Sequence, residues 1–380
     1  MITELPASPP ALPRYGDSSL ADLASSVLAS LGAAGEANPL ELAPAQRVCL
    51  LVVDGLGWEQ LRACPAAAPF LSELATAGRP LTAGFPATTA TSLASLGTGR
   101  APGQHGLLGY QVAVPGQGRL LNGLRWDSRV DPLAWQPGST IFERAARQGI
   151  GAYRVALSSL AATGLSVAAM RGAQFLGADT VGALVGQAAV ALRRSDRALA
   201  LVYHADLDST GHVFGCSSDA WRYHLEHVDK LAEQLAAALP PGTVLHVTAD
   251  HGMVNVGPQD RIDADAEPDL REGVALLGGD ARARYVYARP GAQADVLAAW
   301  REVLGPRAWV ASREEAVAQG WFGPVDPALA PRIGDVVAAT VGPGAIVATK
   351  AEPRESRLIG MHGSLTAGDQ LVPLLTAPVR

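Results

Sequence analysis

Apolar residues recur along this chain in two rhythms. After Asp17-Ser18-Ser19, a cluster suited to capping a helix, Leu20, Leu23, Val27, Leu28 and Leu31 stand at helical spacing and predict an amphipathic helix. The run Val48-Cys49-Leu50-Leu51-Val52-Val53 is unbroken and stops at Asp54-Gly55, as a strand buried on both faces of a parallel sheet would. Two later segments repeat that design. Ala198–Tyr203 leads into His204-Ala205-Asp206-Leu207-Asp208, and Thr243–Thr248 leads into Ala249-Asp250-His251-Gly252. Helical patterns over Ser139–Gln148 and Ala220–Leu239 fall between the apolar runs. This alternation predicts an α/β fold: a doubly wound, mostly parallel central sheet with helices on both faces.

The texture changes between about residues 257 and 345. Polar loops there surround a short strand (Arg284–Arg289), a helix (Ala292–Leu304) and a strand pair (Ala308–Ser312 and Asp335–Val341), after which core-like residues return. The expected organisation is therefore an N-terminal segment and helix (1–46) packed on the core, an α/β domain built from 47–256 and 346–380, and a small α+β insertion (257–345). The proline-rich first 18 residues should lie along the surface.

Composition narrows the function. Hydrophobic residues make up 48% and charged residues 17%, enough to bury a large core. A net charge of −6 argues against a stable nucleic-acid partner. Only Lys230 and Lys350 are lysines, so a side chain that clamps an oxyanion should be arginine. Cys49, Cys64 and Cys216 form no disulfide framework and fit a reducing compartment. The N-terminus has no signal-peptide pattern and no apolar run nears the roughly 18 residues of a membrane span, so the expectation is a soluble, cytoplasmic protein.

The candidate chemistry sits where the apolar runs end. Three strands each deliver an aspartate (Asp54, Asp208 and Asp250) to the end of an open sheet at which such folds bind ligands. Three carboxylates gathered there repel one another unless cations neutralise them. Asp208 and His212 are four residues apart, on one side of a helical turn. His251 follows Asp250 directly, and His362 lies in the Gly-flanked loop Gly360-Met361-His362-Gly363. Carboxylate oxygen and imidazole nitrogen make up the ligand set of hydrolytic zinc or manganese sites. A second unusual stretch, Gly84-Phe85-Pro86-Ala87-Thr88-Thr89-Ala90-Thr91-Ser92, crowds hydroxyls at the start of a helix, where free N–H groups suit a phosphate oxygen. A threonine there becomes a nucleophile if a metal lowers its pKa.

Val53-Asp54-Gly55, Phe85-Pro86 followed by Thr88-Thr89, the Gly99 to His105-Gly106 segment, Asp208 to His212, Ala249-Asp250-His251-Gly252 and Met361-His362-Gly363 stand in one order and at suitable separations. Together they resemble the alkaline phosphatase superfamily, in particular its nucleotide pyrophosphatase/phosphodiesterase branch, over roughly residues 47 to 366. The resemblance implies two divalent metal ions, zinc or alternatively manganese, flanking a threonine nucleophile. It places Asp54, Thr89, Asp250 and His251 around one ion and Asp208, His212 and His362 around the other. Gap-free spacing from Phe85-Pro86 to His105-Gly106 puts the nucleophile on Thr89, with Thr88 the nearest rival. The family usually carries an asparagine soon after its His-Gly pair. Here that position is Tyr110, so either Tyr110 or Asn122 is expected to hold a phosphate oxygen.

The activity implied is hydrolysis of a small-molecule phosphate ester: a phosphodiester or pyrophosphate bond, in a nucleotide, through a phospho-threonine intermediate. Three aspartates and one alkoxide balance two divalent cations, leaving a nearly neutral site for a singly charged diester. The alternatives are a phosphomonoesterase or phosphonate hydrolase on the same scaffold and, more remotely, a non-catalytic nucleotide-binding protein. A sulfatase is disfavoured because no Cys/Ser-x-Pro-x-Arg stands at the nucleophile position. Other polar residues have plainer readings. One or two of the Thr88–Ser92 hydroxyls should cap the helix. His105 should be structural, and His204, His224, His227 and His246 should pack or face solvent. Asp206 reads as a turn residue, Arg284 and Arg289 as solvated, and Trp126 and Trp135 as core.

Overall fold

The computed structural model describes residues 9–378. Helix α1 (Leu20–Ser30) begins at Ser19, whose N–H donates to Asp22 at 2.9 Å, and it buries Leu20, Leu23, Val27 and Leu28. Then come β1 (Arg47–Val53), β2 (Arg79–Thr82), helix α2 (Thr89–Thr98), β3 (Gly151–Ala156), β4 (Gln174–Gly177), β5 (Ala198–His204), helix α3 (Asp206–Phe214) and β6 (Thr243–Thr248). Four strands of a separate sheet follow: β7 (Val274–Asp280), β8 (Ala283–Ala288), β9 (Ala308–Ser312) and β10 (Val336–Thr340). Strand β11 (Leu371–Pro378) returns to the first sheet.

The central sheet has seven strands in the order β2-β11-β6-β1-β5-β3-β4. The five strands from β6 to β4 run parallel, and β11 pairs antiparallel with both β6 and β2. The doubly wound α/β arrangement expected from the alternating apolar runs is thus observed, with helices flanking a mostly parallel sheet. Strands β1 and β5 are buried almost throughout because both faces are covered, which is why their sequences are continuous apolar runs rather than alternating ones.

The segment after β6 folds as an antiparallel sheet in the order β7-β8-β10-β9, with the helix Gln293–Leu304 against it. Its side chains divide with the period of two that a pleated strand imposes. Val286, Val336 and Ala338 join Val296, Trp300 and Leu304 in a core of their own, while Tyr285, Val337 and Ala339 face the main core. Buried Arg282, between β7 and β8, reaches Asp369 at 2.8 Å and ties this sheet to the loop carrying His362.

Of the proline-rich start, residues 1–8 lie outside the described residues. The remainder does more than cover the surface. The Tyr15 hydroxyl accepts from the Phe85 N–H at 3.0 Å and donates to the Trp321 carbonyl at 3.0 Å, pinning the loop that leads into α2. Among the described residues no helix is long and apolar enough to cross a membrane, and all three cysteines are free.

Candidate metal centre and active site

The register of the parallel strands brings the three aspartates together. Val53 pairs with His204 and Val52 with Thr248, so β6, β1 and β5 end side by side. Asp54 follows β1 directly, its N–H donating to the His204 carbonyl at 2.9 Å. Asp250 lies two residues beyond β6, and Asp208 is in the first turn of α3. Gly55 makes the approach possible. Its φ is +75°, and a Cβ there would stand 3.0 Å from both Cα and Cβ of Asp208.

Each side chain of the cluster has one polar atom committed to the protein and one left over. Asp54 Oδ2 accepts from the Tyr203 hydroxyl, and Asp250 Oδ1 accepts from the N–H groups of Gly55 (3.1 Å) and His251 (3.0 Å). Asp54 Oδ1, Asp250 Oδ2 and Asp208 Oδ1 are buried with no hydrogen-bond partner among the described residues. The imidazoles follow the same rule. Nδ1 of His212, His251 and His362 lies 2.7, 2.9 and 2.9 Å from the carbonyls of Gly360, Gly252 and Ala87. A carbonyl only accepts, so Nδ1 carries a proton in each ring; Nε2 of His251 and His362 is turned towards the carboxylates, and that of His212 towards Asp208 Oδ2.

These leftover atoms converge. His251 Nε2 lies 3.3 Å from Asp54 Oδ1, 3.6 Å from Asp250 Oδ2 and 3.2 Å from Thr89 Oγ1. Ligand atoms of Asp54, Asp250 and His251 all lie within 4.8 Å of one another, as do those of Asp208, His251 and His362. His212 joins through Asp208, Nε2 to Oδ2 at 3.2 Å, while His362 Nε2 is 3.9 Å from the other oxygen. The rings of His251 and His362 stack with centroids 3.6 Å apart, so His251 stands between the two groups. Acceptors facing acceptors in a buried site require protons or cations between them, and carboxylate oxygen with imidazole nitrogen is the donor set that suits divalent metals. The residues present fit a divalent metal centre, with two candidate ligand groups that share His251.

Thr89 is the first residue of α2, and the whole of that helix is buried. Thr88 occupies the cap position, but its side chain makes no capping hydrogen bond; it lines a cavity instead. That corrects the expectation of a hydroxyl cap. The cavity, about 340 Å³, opens over Thr89, Asp208, His212 and His362. Tyr110 forms part of its wall, but Asn122 does not. Asn122 Oδ1 instead accepts from the N–H groups of Leu124 and Arg125 at 3.0 and 2.8 Å, shaping the turn after the hairpin strand Arg119–Asn122.

A family model for type I phosphodiesterase / nucleotide pyrophosphatase matches residues 48–365. The chain belongs to that family. It is thereby placed in the alkaline phosphatase superfamily, and its activity class is a phosphoryl hydrolase. Solved structures share the fold. Murine ectonucleotide pyrophosphatase / phosphodiesterase 5, as an inactive variant in complex with AMP, superposes with a TM-score of 0.69 at 20% identity, covering 87% of each chain. The human form of that protein gives 0.68 at 19%, again with 87% of each chain covered. Phosphonoacetate hydrolase from Sinorhizobium meliloti 1021, in complex with phosphonoacetate, gives 0.66 at 18%, covering 88% of this chain and 90% of that one. No curated protein sequence matches the chain.

The electrostatics of this phosphodiesterase-family site are those of crowded acids. Burial, together with the charges of Asp250 and Asp208, pushes the Asp54 pKa well above the usual carboxylate range. Burial and Asp208 raise Asp250 to about 7. Burial would also raise Asp208, but His212 beside it wins and holds it low. His212 rises to about 9, because Asp208 outweighs the burial that disfavours its charge. Burial and the neighbouring His251 push His362 well below the ordinary histidine value.

Two residues with a stake in this site have no counterpart among the sequence candidates. Tyr203 lies inside an apolar run, where its hydroxyl gives no signal until the sheet pairs it with Asp54. Asp280, the last residue of β7, lines the cavity from the inserted sheet. Its pKa rises to about 7, because burial exceeds the opposing pull of Arg284. Arg284 is not solvated as expected. It is buried and paired with Glu352 at 2.7 Å. Asp206 is an exposed residue of the first helical turn, and Arg289 is exposed. His105 is buried against the Ser95 hydroxyl and the Leu107 N–H, and burial pushes its pKa down to about 3, so it is neutral and structural. Trp135 is buried beneath the Arg332 guanidinium, 3.7 Å from its ring centroid.

Proposed function

We propose that the chain is a two-metal hydrolase of phosphodiester or pyrophosphate bonds in nucleotides, acting through a phospho-threonine intermediate on Thr89. The observation that carries this reading is the convergence of ligand atoms of Asp54, Asp250 and His251 and of Asp208, His251 and His362, with the Thr89 hydroxyl 3.2 Å from His251 Nε2. Asp54, Thr89, Asp250 and His251 would hold one ion, and Asp208, His212 and His362 the other. Zinc fits this donor set and manganese also accepts it. The two cations would neutralise three carboxylates, lower the pKa of the Thr89 hydroxyl and polarise the phosphoryl oxygens.

The chain's own groups supply the rest. Thr89, fixed at the start of a buried helix, attacks phosphorus in line. The bond to the leaving alcohol or phosphate breaks, that group taking up the Thr89 proton, and water then releases the phosphomonoester and restores the Thr89 hydroxyl. The N-terminal end of α2 points its positive pole at the developing charge. Tyr110 is the donor for a phosphoryl oxygen, since burial raises its pKa and keeps the phenol protonated. Asn122 acts behind it, because its amide lies against the Tyr110 hydroxyl. The three unpaired cysteines support a reducing, cytoplasmic location.

A second reading, a phosphonate or phosphomonoester hydrolase, has one observation in its favour. Arg125 and Arg354 line the cavity and are exposed, and neither is in an ion pair among the described residues. They could offset a dianion. Rates on p-nitrophenyl phosphate and bis-p-nitrophenyl phosphate separate the two. The diesterase reading expects the diester to be cut faster, and the reverse ratio would favour the second reading.

A further inference from the structure

Asp280 has a setting that the reaction above leaves unexplained. It lies where β7 ends, in the wall of the cavity that also exposes Thr89, Asp208, His212 and His362. Its Oδ2 is buried and has no hydrogen-bond partner among the described residues. The arginines beside it in sequence hydrogen-bond to other groups. Arg282 binds Asp369 and the carbonyls of Gly342 and Gly344, and Arg284 binds Glu352 and the Ile346 carbonyl through Nη2 and Nε, its Nη1 being buried, like Asp280 Oδ2, without a partner among the described residues. In the same wall Ala281, Leu358 and Met361 are apolar, and the donors Tyr110, Arg125, His212 and Arg354 make no hydrogen bond to Asp280 Oδ2. An unpaired carboxyl in such a place is costly, and the expense falls when a bound molecule brings the missing donor.

A carboxylate in the wall of a phosphate site also weakens the binding of every phosphate alike. Its return is selectivity, since it favours phosphates that carry a hydrogen-bond donor over those that do not. We propose that Asp280 sets substrate specificity by accepting a hydrogen bond from a hydroxyl or ammonium group on the organic part of the ester, so that the substrates are phosphate esters of polyols or amino alcohols. A ribose is one such polyol. The assignment rests on the phosphate-ester reading of the same cavity and names the chemistry of the group beyond phosphorus.

Non-hydrolysed probes test this without needing turnover. Propylphosphonate, 3-hydroxypropylphosphonate and 3-aminopropylphosphonate are titrated calorimetrically into the full chain supplemented with zinc. One or both donor-bearing probes should bind about tenfold to a hundredfold more tightly than propylphosphonate, the range of a hydrogen bond to a charged group. The hydroxyl and ammonium arms show which donor is taken. Asp280→Ala should erase the preference while propylphosphonate binds at least as well as before. Asp280→Asn, which keeps the shape, should keep a hydroxyl preference and lose an ammonium one. The proposal is overturned if the wild-type protein does not distinguish the three probes, or if Asp280→Ala keeps the preference. Hydrolysis of the matching p-nitrophenyl esters is scored separately, so a failure there sinks the hydrolase reading and leaves the Asp280 result standing.

Discussion

At the scale of single residues, the cluster is organised by what each side chain does with its second polar atom. The Tyr203 hydroxyl occupies one oxygen of Asp54 and leaves the other aimed at His251. Groups that orient metal ligands in this way typically contribute a factor of 10 to 100 in metal affinity. Tyr203→Phe should therefore weaken zinc binding by about that factor at the site containing Asp54, read by competition with a chromogenic chelator, and an unchanged affinity would remove Tyr203 from the site. Asp250 gives a test by pH. In the metal-free fold its carboxyl holds a proton up to about pH 7, whereas the unfolded chain releases it near the ordinary carboxylate value. The folded state binds more protons across that window, so stability falls as pH rises from about 4 to about 7. Asp250→Asn cannot ionise, and its metal-free melting curve should be flatter over this range and higher at pH 7; curves parallel to wild type would contradict the assignment. The candidate ligands themselves were legible as residue types near strand ends. Their leftover atoms were not, because which oxygen is taken depends on Tyr203, Gly55 and His251, which only the folded register brings into contact.

At the scale of elements, legibility follows how local the signal is. Strands β1, β5 and β6 form where the apolar runs were read, with Asp54 directly after β1, Asp250 two residues past β6 and Asp208 in the helix after β5. The start of α2 is less local. Thr88 sits at the cap position, yet the cavity claims its side chain, so Thr88→Ala should change stability by much less than the ~1 kcal/mol of a working cap. Three strands and the helix of the second sheet were legible, but not β7, which carries Asp280, nor the sheet as a wall of the site, because the Arg282–Asp369 pair acts across 87 residues of chain. That pair is fully buried and braces the loop holding His362. Removing one partner of such a pair costs about 3–5 kcal/mol. Arg282→Ala should lower the thermal midpoint by roughly four to six degrees in a chain of this size and weaken zinc binding at the Asp208–His362 site. A midpoint within a degree or two of wild type would show that the insertion does not brace the site.

At the scale of the whole molecule, a net charge of −6 is concentrated unevenly, with three carboxylates of one buried cluster meeting at the centre of the sheet. A fold that gathers like charges in this way is completed by cations, which bind the native state and stabilise it by mass action. A chelator should lower the thermal midpoint, and zinc should restore it. Asp208→Ala or His362→Ala should reduce bound metal towards one equivalent, because the set around Asp54 keeps its own ligands. The measurement that bears most directly on the two-metal, Thr89-centred account is zinc titration of chelator-treated wild type and Thr89→Ala, following bis-p-nitrophenyl phosphate hydrolysis and bound zinc together. Wild type should gain full activity only as the second equivalent binds, while Thr89→Ala stays folded, retains metal and stays inactive. Full turnover by metal-free wild type, or by Thr89→Ala, would contradict the account.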